Sequence, residues 1–273
     1  MIRRILGSTT GRHAPRVLAT LALSFAMTSA AGAQRVDHSA FDALLKAHVV
    51  NGMVDYDAFA AAPTFPKYLA SLAATDPTML PRDEQLALWI NAYNAYTIQL
   101  IVAHRERESI RNINRTLFLK LKGPWSEPLA RVGGKNLTLD DIEHRIIRPT
   151  YKEPRIHFAI VCAAMGCPPL RAEAYVGSRL GAQLDDQAVI FLLGSPAKNR
   201  VDLASRVWYY SMIFGSYKDD FGGSVKEAAR YAARWYPDGP EKQLLLGGEF
   251  SANQTSYDWT LNSQENFRKS RTR

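Results

Sequence analysis

The chain has 273 residues but only two cysteines, Cys162 and Cys167. That scarcity excludes a multi-disulfide scaffold, and the spacing of the pair matches no common zinc site. No histidine follows Cys162: all six, from His13 to His157, precede it. A thiol hydrolase in which the cysteine comes first and the histidine second is therefore excluded as a template, although triads are recognised by geometry rather than order. No low-complexity linker and no internal repeat divides the chain. After residue 33 no apolar run is long and uninterrupted enough to span a bilayer, so no transmembrane segment is expected in the mature chain. Residues 1–33 hold no acidic residue.

That N-terminal stretch has its own pattern. Arg3, Arg4, Arg12 and Arg16 make a basic start, Val17 to Thr28 is a short apolar run, and Ala31-Gly32-Ala33 is a small-residue cleavage site before Gln34. The pattern is that of a secretory signal peptide over residues 1–33, and it predicts a periplasmic or secreted protein. No cysteine follows the apolar run, which leaves no lipoprotein anchor. Removing the four arginines lowers the formal net charge from +8 to +4. Arg268, Lys269, Arg271 and Arg273 add a second basic excess at the other end. The body between is near neutral, so the basic isoelectric point does not signal a nucleic-acid partner. Residues 263–273 read as a basic, disordered tail.

Residues 36–262 are expected to form one domain. Helices are predicted over Ser39 to Val50, Phe65 to Ala74 and Pro81 to His104. The last is apolar on nearly every side, which places it at the centre of the fold. Met53 to Tyr56 reads as extended, and Ala130 to Leu139 as a hairpin around Gly133-Gly134. Thr138 with Asp141, and Ser224 with Glu227, form capping boxes opening helices to about Arg148 and Trp235. A further helix runs from Ser178 to near Gly194. Arg155 to Cys162, rich in Ile, Val and Phe, reads as a buried strand, and Val201 to Tyr210 as a strand pair. Helices alternating with hairpin-like strands predict an α+β domain, a central buried helix packed on a mostly antiparallel sheet.

The run RIHFAIVCAAMGCPPLR, 155–171, carries the candidate chemistry. It gathers His157, Cys162 and Cys167 within a few residues, and three readings stand open. The cysteines can be a disulfide, as suits an oxidising compartment. One can be a nucleophile with His157 as base. Both can be simply buried. Side chains alternate across a strand, so a direct His157–Cys162 dyad is disfavoured there. Cys167, after Ala-Ala-Met-Gly and before two prolines, is expected to be the more accessible sulfur, near a helix N-terminus. Asn91 and Asn94 share one face of the central helix; either can tie down backbone, or orient an imidazole. Glu143 and His144 follow Leu139-Asp140-Asp141-Ile142. Either Glu143 or His144, pointing towards the 155–162 strand, completes a cysteine–histidine–acid set. Tyr217, Asp219, Asp220 and Phe221 follow Ser211; the paired aspartates can bind a cation, but a solvated turn is the default reading.

These motifs occur in an ordered series. Val54-Asp55-Tyr56 is followed by LALWINAYNAYTI at 86–98, then Ser109-Ile110, Trp125 and Leu139 to His144. HFAIVCAAMGCPPLR at 157–171, Ser211 to Phe214, Asp220-Phe221 and Tyr257-Asp258-Trp259 complete it. In this order the chain resembles the family known as domain of unknown function 547. The resemblance carries no established activity. In some eukaryotic relatives it implies a domain joined to glutaredoxin-like or coiled-coil segments, the first suggesting thiol chemistry and the second a scaffold.

The leading expectation is a cysteine-dependent hydrolase or acyl transferase of the cell envelope. Cys162 or Cys167 is its nucleophile, His157 its base, Glu143 or Asn91 the orienting group, and a small molecule or peptide its substrate. No cofactor and no metal is expected. The competing expectation is a non-catalytic binding or assembly protein with a structural Cys162–Cys167 disulfide.

Overall fold

The computed structural model describes residues 35–113 and 123–272. The leader expected over residues 1–33 lies outside the described residues. The described residues group as one compact unit.

The chain enters through α1 (Ser39–His48), which turns into a two-stranded ribbon of β1 (Val49–Val50) and β2 (Met53–Val54). The Asp55 side chain caps α2 (Tyr56–Ala61) by accepting from the Ala58 amide at 3.0 Å, so the extended stretch expected from Met53 ends before Tyr56. Next come α3 (Thr64–Ala74) and α4 (Arg82–His104). Asp83 and Glu84 complement the positive end of α4, and Arg105 closes it in the left-handed conformation at φ 50°. Length and composition would let α4 cross a bilayer, yet 83% of its apolar window is buried inside this fold. It is the core helix that its all-round apolarity predicts.

The strands β3 (Ala130–Val132) and β4 (Lys135–Leu137) make the expected hairpin, pairing Val132 with Lys135 across Gly133-Gly134. Both glycines have positive φ, and a Cβ on Gly133 would meet Pro77 at 2.9 Å. The Thr138 capping box forms in both directions. Its Oγ1 accepts from the Asp141 amide at 2.9 Å, and the Asp141 carboxylate accepts from the Thr138 amide at 3.0 Å. The helix that follows is wide-turned (π) over Asp141–Ile147 and becomes α5 over Arg148–Tyr151.

Residues Arg155 to Cys162, expected as a strand, instead form a short helix, α6 (Ile156–Ala159), followed by an extended stretch. A short apolar run does not distinguish a buried strand from a buried helical turn. The amides decide. Glu153 accepts from the Arg155 backbone, His157 N donates to Pro154 O, and Ile160 N donates to Ile156 O. The extended Val161 amide finds a partner in Asn94 Oδ1 at 2.9 Å, rather than in a neighbouring strand. The alternation argument for His157 and Cys162 therefore does not apply.

Helix α7 (Leu180–Leu193) follows, then a three-stranded sheet of β5 (Arg200–Asp202), β6 (Val207–Tyr210) and β7 (Ser251–Gln254). β5 runs antiparallel and β7 parallel to β6, with Trp208 opposite both Val201 and Ala252. Between β6 and β7 lie α8 (Met212–Ser216), α9 (Val225–Ala232), capped by Ser224, and α10 (Pro240–Gly247). The basic end expected to be disordered from residue 263 instead forms α11 (Gln264–Arg271). Ser263 caps it, accepting from the Asn266 amide at 3.0 Å, and Lys269 pairs with Glu265 one turn back.

The fold is α+β with a buried central helix. Its strand pairing is mostly antiparallel and is spread over three small sheets. Two apolar cores result. One surrounds α4 and takes in Ile156 and Ala159. The other packs Phe158, Phe191, Trp208, Phe214 and Phe221 against the alanine face of α9. Helix α6 lies between them and feeds both.

Candidate functional site

His157 is 2% exposed, and its ring nitrogens face two carboxylates. Nε2 lies 2.7 Å from Asp220 Oδ2 and Nδ1 lies 3.9 Å from Glu143 Oε1. The ring stacks on Tyr217 with centroids 3.9 Å apart. Asp220 also accepts a fork from Arg148, whose Nε and Nη2 approach its two oxygens at 2.7 and 3.0 Å. The His157 hydrogen bond holds the Asp220 carboxyl well below the usual carboxylate range, and Arg148 adds to this against the opposing effect of burial. Arg148 lies over the Tyr217 ring at 5.2 Å and receives a contact from His144 Nδ1 at 3.1 Å. Burial and the Glu143 carboxylate push the Tyr217 hydroxyl up. Glu143 is buried, and its Oε1 has no hydrogen-bond partner among the described residues.

The helical register of Asp141–Tyr151 builds this arrangement. Glu143 turns into the core, while His144 and Arg148, one turn apart, share the outer face. That face borders a cleft of about 470 Å³ between His144, Arg148, Lys152, Pro154, Ile156 and Asp220. Asp220 is thus no solvated turn; only Asp219, paired with Lys218, stays in solvent. Arg148 was not among the predicted site residues, and Tyr217 and Asp220 were expected as a turn or cation site rather than as partners of His157. The sequence separates Asp220 from His157 by 63 positions, and no local pattern links them.

The two sulfurs lie elsewhere. Cys162 and Cys167 are joined in a disulfide. The Tyr257 hydroxyl is 3.0 Å from each sulfur, and burial pushes that hydroxyl up. The intervening loop is clamped to the segment before α11. Met165 N donates to Thr260 O, Gly166 N to Asp258 O, and Asn262 N to Ala163 O. A Cβ on Gly166 would meet the Asp258 backbone at 2.9 Å, so only glycine allows the approach. Cys167 is 1% exposed and Cys162 is half-buried. This reverses the expected accessibility, because the loop folds inward beneath Tyr257 rather than outward.

The predicted cluster of His157, Cys162, Cys167 and Asn91 therefore divides. His157 and Glu143 come together. The cysteines pair with each other, and neither touches the imidazole. Asn91 spends its amide on the Tyr175 backbone, donating to its oxygen at 2.7 Å and accepting from its nitrogen at 2.9 Å. Its neighbour one turn on, Asn94, bridges Ala159 O and Val161 N in the same way, so the asparagine that reaches the 155–162 segment is Asn94. Among the described residues no group of three or more His, Cys, Asp or Glu is gathered to hold a metal ion.

A buried helix, a histidine between two carboxylates and a disulfide-closed loop thus occupy one α+β domain. Residues 77–192 match the model of the family described as protein of unknown function, DUF547. The match includes Glu143, Arg148, His157 and both cysteines, and ends before Tyr217, Asp220 and Tyr257. No curated protein and no solved structure matches the chain.

Proposed function

We propose that the chain is an exported, non-catalytic binding or assembly protein in which Cys162–Cys167 is a structural disulfide. One observation carries this reading. The sulfurs are bonded to each other, while His157 directs its ring nitrogens at Asp220 and Glu143, so no thiolate–imidazole pair exists. The polar groups that look catalytic in the sequence have structural partners: Asn91 and Asn94 hold backbone, and Asp220 holds Arg148 and His157. Export is supported by the leader pattern of residues 1–33, and an exported protein meets an environment that keeps such a disulfide.

Thiol titration of freshly isolated protein tests the reading. No free thiol, native or denatured, is the expected result; two titratable thiols overturn it. Sequencing the N-terminus of periplasmic or secreted material should give Gln34, and an intact Met1 there removes the export component.

A second reading, the cysteine-dependent hydrolase or acyl transferase, draws on one feature: the Tyr257 hydroxyl contacts both sulfurs while Cys162 keeps partial access. It requires a reduced protein in which Cys162 is alkylated faster than Cys167. It also requires an esterase or amidase activity that appears on reduction and is lost in Cys162→Ser.

A further inference from the structure

The loop closed by the disulfide continues through Pro168-Pro169 into the wall of a second cavity, of about 750 Å³, remote from the His157 cluster in its lining residues. Its size is in the range of pockets that enclose small organic ligands. Met53, Leu170 and Ile190 give it apolar walls. Val189 and Leu193, exposed on α7 beside Ile190, extend the apolar surface at that helix.

Two polar groups in the lining lack the partners their chemistry calls for. Gln187 is 1% exposed, and its Nε2 donates to Pro169 O at 2.6 Å. That bond fixes the orientation of the amide and leaves Oε1 buried with no donor among the described residues. Lys198 donates to Cys167 O, and no described carboxylate lies within ion-pair distance of it. Burial pushes its ammonium down to about 8, against the pull of the Asp258 charge. The other cations in the lining are committed, Arg171 to Glu173 and Asp186, Lys46 to Asp42. The cavity therefore offers one uncommitted positive charge and one buried acceptor. Their anchor points, the carbonyls of Cys167 and Pro169, are two residues apart on one chain, a span of at most about 7 Å.

We propose that this cavity binds an α-carboxylate carried next to an N–H donor and an apolar side chain, the chemistry shared by a free apolar amino acid and the C-terminus of a peptide. The carboxylate pairs with Lys198, the N–H satisfies Gln187 Oε1, and the side chain lies on Met53, Leu170 and Ile190. A sulfate would answer the charge but leave the Gln187 oxygen without a donor, which is why the N–H is part of the assignment. The inference rests on the binding-protein reading and deepens it: the disulfide fixes Cys167, whose carbonyl is one anchor and which lies two residues before the other.

Isothermal titration of the oxidised protein tests it, with L-leucine, N-acetyl-glycyl-L-leucine and the same dipeptide as its C-terminal amide. A free-carboxylate probe is expected to bind, and the amide at least about tenfold more weakly. Preference for leucine or for the acetylated dipeptide distinguishes the free amino acid from the peptide terminus, and either supports the proposal. Lys198→Met should weaken the binding about tenfold or more, Lys198→Arg should retain most of it, and Gln187→Leu should weaken the N–H-bearing probes but not acetate. Near-UV circular dichroism of each variant confirms that the fold is intact. Equal binding of carboxylate and amide, or binding unaffected by Lys198→Met, overturns the proposal. Absence of binding with the disulfide intact overturns this inference alone, whereas two free thiols in the same sample overturn the reading beneath it.

Discussion

At its N-terminal end the segment 155–171 is held by charge. Arg155 pairs with Glu153 and Asp185, and His157 enters the Asp220–Arg148 network. At its C-terminal end it is held by a covalent bond, with Cys167 tied to Cys162 and the loop pinned under Tyr257. Both ends reach α7 through an arginine, Arg155 to Asp185 at 2.8 Å and Arg171 to Asp186 at 2.6 Å. The fastenings answer to different variables. The charged end depends on protonation and on desolvation matched by hydrogen bonds. The covalent end depends on redox state and is indifferent to acid. A segment at the junction of two cores is thus secured against both kinds of disturbance, with ion pairs at both ends and the covalent bond towards one.

The strongest way to break the comparison is to remove what both fastenings serve. Phe158 is fully buried among Phe191, Phe214 and Phe221. Phe158→Ala should cost about 3–5 kcal/mol in denaturant unfolding. A loss below about 1 kcal/mol would mean that α6 does not anchor the second core.

Next comes the charged end. Asp220→Ala leaves Arg148 and His157 without their shared acceptor and should cost about 2–3 kcal/mol near neutral pH. The folded Asp220 carboxyl titrates below its unfolded value, so its contribution is complete above about pH 4 and is lost as the pH falls below that towards the folded value. The difference in stability between wild type and Asp220→Asn should accordingly shrink in acid. A difference that stays constant from pH 7 to pH 2 would show that the ion pair is not what holds His157.

The covalent end is expected to matter somewhat less. The cysteines are five positions apart, and closing so short a loop stabilises by about 2 kcal/mol in the chain-entropy account. Reduction should lower the melting temperature while leaving the acid limb unchanged. A change in the acid limb on reduction would merge the two regions that the contacts keep separate.

The smallest effect concerns the helix that presents Glu143, His144 and Arg148. Thr138→Ala removes one half of its capping box and should cost about 1 kcal/mol. If the loss shrinks markedly in the Asp220→Ala background, a double-mutant cycle will show that the cap positions Arg148 as well as starting the helix.

Much of the frame was legible in the sequence because it is written in local terms. The all-round apolarity of α4, the Thr138 capping box, the Ser224 cap and the Gly133-Gly134 hairpin each involve residues a few positions apart, and each formed where expected, although the Glu227 carboxylate turns to Arg230 instead of closing the second box. The 155–162 segment did not follow its apolar pattern, because burial alone does not choose between strand and helix. Its amides found Glu153, Pro154, Ile156 and Asn94 instead of a neighbouring strand. The α11 helix was missed because its apolar residues are few and its stability comes from the Ser263 cap and the Glu265–Lys269 pair.

By itself, then, the sequence determined the α+β class, the buried helix and the pair of cysteines close enough to meet. These depend on periodicity, end signals and proximity along the chain. Tertiary structure decided the rest. It brought Asp220 across 63 positions to His157 and Tyr257 across 90 to Cys167, sent Asn94 rather than Asn91 to the 155–162 segment, and placed in the lining of one cavity Lys198, with no carboxylate at ion-pair distance among the described residues, and Gln187, whose oxygen has no donor there. Such meetings follow from how two cores pack against one segment. A side chain's partner is set by the free energy of burying the whole set together, and no local stretch of sequence carries that information.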